Sequence, residues 1–176
     1  MTAAEKIDQA FLQFGFAIKL LTHFELGKVD KQQFDVETTI FLERKNIHLK
    51  TNLFHTNDDL VNAATNNFNI TLGATAIILD ESLTSAGFKN SCGDTSEQDQ
   101  LRTLIYMIRC AYAHNMIEPR WEVRGKCLQT LKYRILEQTF EVKLPELNGR
   151  PFSMDQIGGH DVYIAIKDRL LTLLAK

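Results

Sequence analysis

Apolar residues recur at helical spacing in four stretches of the chain. In the first, residues 3–26, Ile7, Phe11, Phe14, Ile18 and Leu21 follow at intervals of four and three, and Ala10, Ala17 and Phe24 widen the stripe. This predicts a long helix, with Gly27 placed to end it. Phe14, Phe16 and Phe24 lie on or near that stripe and are expected to be core, or part of a dimer seam, rather than a stacking surface for bases. A second helix is predicted from Asp58 to Ser85 on the stripe Val61, Ala64, Phe68, Leu72, Ala76, Leu79 and Leu83. Asn57-Asp58-Asp59 reads as its N-cap cluster. Asn66, Asn67, Asn69 and Thr71 are weak helix formers, so packing must hold it, and Gly73 suggests a close helix crossing. The third stripe is Leu101, Leu104, Ile105, Ile108 and Tyr112, preceded by Ser91, Thr95 and Ser96 as candidate caps. Asn115 and the residue before Pro119 stop that helix near His114. The last stripe, Val162, Ile166, Leu170 and Leu173, gains Tyr163, Ile164, Leu171 and Leu174. A helix that apolar is buried against the others or against a second subunit. Gly158-Gly159 precedes it, and Asp161 is the expected N-cap.

Between the helices the pattern changes. Thr139 to Leu144 alternates as a half-buried strand does. Pro145, Asn148-Gly149 and Pro151 are turn signals, and Asn-Gly favours two-residue hairpin turns. A small β-hairpin is therefore expected around residues 138–155. Trp121, after Pro119, is expected to plug the core. Residues 28–57 show no clear period. Thr38 to Leu42 reads as a short strand or a helix start, and the remainder as surface loop. His48 and His55 are seven residues apart without an acidic partner, which does not suit metal binding. The expected fold is mainly α: one domain over residues 1–176, a bundle of about four to five helices, with a small β-hairpin or irregular insertion before the last.

Composition adds limits. Hydrophobic content of 44% and charge of 24% over 176 residues are ordinary for a globular domain. The N-terminus does not read as a signal peptide, and no apolar run reaches membrane-spanning length, so no membrane partner is expected. Cys92, Cys110 and Cys127 are odd in number and widely spaced, which predicts neither a disulfide framework nor a metal site and points to a reducing cytoplasm. Charge is uneven: residues 57–100 carry a net −6 and residues 101–134 a net +5. The basic segment includes Arg120 and Arg124 and suits a phosphate-bearing ligand, RNA or nucleotide. Pairing with the acidic segment is the alternative use of those charges. Asp80-Glu81, the adjacent acidic pair, is expected to be solvated.

The candidate chemistry lies at the end of the third helix. Arg109 and His114 are five residues apart, and in an unbroken helix their side chains would diverge by about 140°. A helix stop near Ala113 lets the imidazole swing back towards the guanidinium. An Arg forks onto phosphate oxygens and stays charged, and a His near neutrality serves as base or acid. Arg109-Cys-Ala-Tyr-Ala-His114 resembles the Arg-x4-6-His motif of the HEPN family (higher eukaryotes and prokaryotes nucleotide-binding). The resemblance covers about twenty residues, from Leu101 to Trp121, and is architectural elsewhere. It implies an up-down helical bundle with the motif ending the penultimate core helix. It also implies a metal-independent endoribonuclease without cofactor, acting as a homodimer that joins two motifs. Such proteins include toxins of toxin–antitoxin or defence systems, with an antitoxin as partner. On this reading Arg109 holds the scissile phosphate and His114 is the general base. Tyr112, Asn115, Arg120 and Arg124 are the candidate substrate contacts. The position after the Arg is commonly Asn in the family and is Cys110 here. The alternative is a non-catalytic nucleotide- or RNA-binding or protein-interaction module of the same architecture.

Overall fold

A computed structural model describes residues 1–89, 92–93 and 95–174. Helices α1 (Ala3–Glu25) and α2 (Lys31–Phe34) are followed by strands β1 (Thr38–Phe41) and β2 (Asn46–Leu49). Then come α3 (Asn57–Ser85), α4 (Glu97–Ala113), β3 (Thr130–Ile135), β4 (Gln138–Lys143), α5 (Leu144–Leu147) and α6 (His160–Leu174). Single 3-10 turns occupy Gly125–Cys127 and Met154–Ile157. The chain is mainly helical, with two small antiparallel hairpins.

Capping fixes where the long helices begin. Thr2 and Glu5 form a reciprocal capping box at α1. Thr56 and Asp59 do the same at α3, so the cap stands one residue before the Asn57-Asp58-Asp59 cluster read from the sequence. The Asp59 carboxylate accepts from the backbone N–H groups of Thr56 and His55, which hold it below the usual carboxylate range. Ser96 caps α4 through the Asp99 N–H at 3.1 Å, with Thr95 just outside; Ser91 lies outside the described residues. α6 begins at His160, so Asp161 sits in its first turn rather than at the cap.

The long helices pack in antiparallel order. Phe24 at the end of α1 meets Leu60 and Ala64 at the start of α3, while Arg102 near the start of α4 reaches Asp80 and Thr84 near the end of α3. The crossing of α3 and α4 depends on Gly73: a Cβ there would stand 2.7 Å from Tyr112 Cδ1 and 3.0 Å from Cγ. Phe11 stacks on Tyr163 at 5.5 Å and joins α6 to α1. The core takes in Phe14, Leu104, Ile108 and Ile166. Phe24 is also buried, while Phe16 is 59% exposed and does not join the core. Trp121 is fully buried, as expected of a plug, and its Nε1–H donates to Gln156 Oε1 at 2.7 Å.

Both hairpins differ from the sequence expectation. The second hairpin pairs β3 with β4, Thr130 opposite Lys143 and Ile135 opposite Gln138. The 139–144 strand thus finds its partner on the N-terminal side, not across Asn148-Gly149. Leu131, Tyr133 and Ile135 alternate into the core, and that burial fixes the pairing. Leu136 and Glu137 make the turn with φ of 52° and 62°, a conformation in which Asn or Gly is usual. The region 28–57 contains a further hairpin, Thr38 opposite Leu49, with His48 Nδ1 3.0 Å from Thr39 Oγ1.

Replacing Gly73 by Ala tests the crossing. The clash with Tyr112 costs about 1–3 kcal/mol against a helix-propensity gain of about 1 kcal/mol. The expected result is a melting temperature lowered by a few degrees; a rise would show that the Tyr112 ring yields. Burial also pushes the Tyr112, Tyr133 and Tyr163 phenols above their ordinary range, the Thr75 hydrogen bond opposing this in part at Tyr163. The folded chain keeps these protons while the unfolded chain releases them near pH 10, so stability falls above about pH 10 by roughly 1 kcal/mol per pH unit for each ring. Tyrosinate absorbance during alkaline titration should rise together with unfolding rather than before it.

Candidate functional site

The site is built where α4 ends. Nine of its seventeen residues are buried, and Tyr106, Arg109 and Cys110 mark the flank left partly open. The helix stops at Ala113, with His114 as its cap at φ −103° and ψ −29°. Asn115 Oδ1 accepts the N–H groups of Ile117 and Glu118 at 2.9 and 3.0 Å and turns the chain. The Arg120 N–H then donates to the open Ala111 carbonyl at 3.2 Å. Residues 119–123 run back beside 148–152: Trp121 N–H donates to Arg150 O at 3.0 Å and Phe152 N–H to Pro119 O at 2.9 Å. Trp121 and Val123 are buried, and Glu122 between them is turned back to α4.

Arg109 and His114 consequently line one pocket of about 210 Å³, with Glu122 and Arg124 as its opposite wall. The Glu122 Oε2 atom lies 3.5 Å from His114 Nε2 and 3.5 Å from Arg124 Nη2. His114 is 74% exposed and Glu122 34%. Tyr106 and Cys110 also line the pocket. Hydrogen bonding to the Cys110 thiol, its charge when ionised and partial burial together raise the Tyr106 phenol, while Arg109 pulls it down.

The remaining candidates lie elsewhere. Tyr112 is buried against Gly73 and faces the opposite side of α4, where its hydroxyl has no hydrogen-bond partner among the described residues. Tyr112 is about 60° round the helix from Arg109 but about 160° from Cys110, and its ring packs on Gly73 and Phe152, so the tyrosine is not a contact in this pocket. Asn115 spends its carbonyl oxygen on the turn. Arg120 reaches Gly149 O at 3.3 Å and lines a separate groove with Asn69 and Phe152. Glu122, Tyr106 and Cys127 were not among the sequence candidates. The signal for Glu122 was present: a lone acid between two residues, Trp121 and Val123, that both read as apolar and inward-facing.

The charges sort in space. Arg102 is 4% exposed and pairs with Asp80 at 2.6 Å, donating also to Phe88 O and Thr84 Oγ1. Asp80 is therefore not solvated as expected: burial of Arg102 demands its carboxylate. Lys132 and Arg134 pair with Glu141 and Glu137 within the β3–β4 hairpin. Arg109 and Arg124 are the bases that line the pocket.

Cys92 and Cys127 form a disulfide, Cα to Cα 4.9 Å, and Cys110 is free. The expectation of no disulfide is overturned: residues 35 apart in sequence meet across the fold. The cysteine count thus no longer speaks for a reducing compartment. The bond ties the loop before α4 to the wall of the pocket at Cys127. In the chain-entropy account, closing a loop of this length contributes about 4 kcal/mol. Alkylation of the denatured protein before reduction should mark Cys110 alone, and reductant should lower the melting temperature. Three marked cysteines before reduction would refute the pairing.

Comparison of the chain with protein-family models, with curated proteins and with solved structures finds no match.

Proposed function

We propose that the Arg109/His114 pocket is a metal-independent endoribonuclease centre of the HEPN kind. The observation that supports this most is that the helix stop at Ala113 brings Arg109 and His114 to one open pocket despite their divergence along an ideal helix. Arg109, charged at any working pH, holds two oxygens of the scissile phosphate and offsets the charge that builds on phosphorus. His114 takes the 2′-hydroxyl proton, and the 2′-oxygen attacks phosphorus as the 5′-oxygen leaves. Arg124 on the far wall offers a second contact to the RNA backbone. The open face above His114 is where a second copy of the chain would close the site and supply a proton to the leaving oxygen. The substrate on this reading is RNA. A role as a toxin under the control of an antitoxin rests on the motif resemblance alone. Among the described residues no helix is long and apolar enough to cross a membrane.

One observation favours a second reading, a non-catalytic RNA- or nucleotide-binding module. His114 is 74% exposed, and within one chain nothing excludes water from it.

The deciding experiment is cleavage of total RNA with EDTA present, comparing the wild type with His114→Ala and Arg109→Ala. The enzymatic reading expects cleavage by the wild type and a loss of about 100-fold or more in each variant. Equal cleavage by the variants would exclude these residues as the catalytic pair. Binding of RNA without turnover, weakened in Arg109→Ala, would select the second reading.

A further inference from the structure

We infer that Glu122 is the positioning residue of this site, fixing the His114 imidazole through Nε2 and leaving Nδ1 as the nitrogen that exchanges a proton with substrate. The inference rests on the enzymatic reading for its catalytic part, and on geometry alone for the Glu122–His114 pair.

Three observations carry it. The carboxylate is 3.5 Å from Nε2, an ion-pair separation that a small side-chain rotation shortens to a hydrogen bond. The two residues are fixed independently, His114 by the end of α4 and Glu122 by the buried Trp121 and Val123 on either side. Both, with Arg109, line the same pocket. A carboxylate on one ring nitrogen decides which nitrogen carries the proton and stabilises the imidazolium formed when the other accepts one. Arg124 Nη2 shares the same Oε2 atom at 3.5 Å. Arg109, Arg124, Tyr106 and Cys110 are the other charged or titratable groups lining the pocket.

A structural role accounts poorly for the arrangement. Exposed ion pairs contribute about 0–1 kcal/mol to stability, and His114 and Arg124 are 74% and 85% exposed. Removing the charge should therefore leave the fold intact.

The test uses the full-length chain as wild type, Glu122→Gln and Glu122→Asp, with unchanged melting temperature as the check on folding. Two quantities are read: the 15N signals of the two His114 ring nitrogens by NMR at fixed pH, and kcat and KM for RNA cleavage. The expected result for Glu122→Gln is a displaced Nε2 signal, with kcat down about 10- to 100-fold and KM little changed. Glu122→Asp, which keeps the carboxylate, should restore most of both. An unmoved Nε2 signal overturns the inference whether or not RNA is cleaved. A loss confined to KM also overturns it, making Glu122 a substrate contact instead. A displaced Nε2 signal in a protein that cleaves no RNA overturns the enzymatic reading and the catalytic role of Glu122, and leaves the ion pair established.

Discussion

The structure depends on the burial of α4 and on the need to end that helix without leaving its last carbonyls unpaired. Its buried flank faces α3 and β3. A helix so enclosed cannot run on past the core, and its open C-terminal carbonyls must find donors. The chain meets both demands by returning on itself. Asn115 makes the turn, Arg120 donates to Ala111, and Trp121 goes back into the core. Polar groups at the end of α4 and on the returning segment are thereby forced to face one another. The pocket holding Arg109, His114, Glu122 and Arg124 follows from terminating a buried helix.

The same packing decides which charges are available. Burying the Arg102 guanidinium requires a carboxylate and further acceptors, and Asp80, Thr84 and Phe88 supply them from α3 and the loop after it. An unpaired guanidinium there would cost several kcal/mol. That arginine is thus removed from any role in ligand binding, and two further bases, Lys132 and Arg134, are absorbed by acids of the β3–β4 hairpin. Of the basic segment seen along the chain, Arg109 and Arg124 line the pocket in three dimensions, with Glu122 between Arg124 and the histidine.

Helical periodicity made the long helices legible because each buries one continuous face. The stripes through Phe14, Leu72, Ile108 and Ile166 correspond to α1, α3, α4 and α6. Gly73 was legible as a crossing point for a local reason: a glycine inside a helical stripe costs stability unless something packs against it. The hairpin partner was misread because Asn148-Gly149 is a stronger turn signal than Leu136-Glu137. The alternation of Leu131, Tyr133 and Ile135 outweighed turn chemistry, since three buried side chains outweigh two strained backbone positions. The 28–57 hairpin had no such pattern to read, because its strands bury almost nothing.

For the candidate site, the sequence by itself determined the pair Arg109 and His114, the end of the helix between them and the local excess of positive charge. These are local properties, set by residue type and by spacing within one helical turn or two. Only the tertiary structure decided the rest: that Tyr112 belongs to the core, that Arg120 serves another groove, that Cys92 meets Cys127, and that Glu122 stands against the histidine. Each depends on where a distant segment returns, and that path is set by the burial of Trp121 and Val123 and by the hydrogen bonds to residues 148–152. Spacing along the chain does not encode such a meeting, because the energy that enforces it comes from surfaces the two segments bury elsewhere.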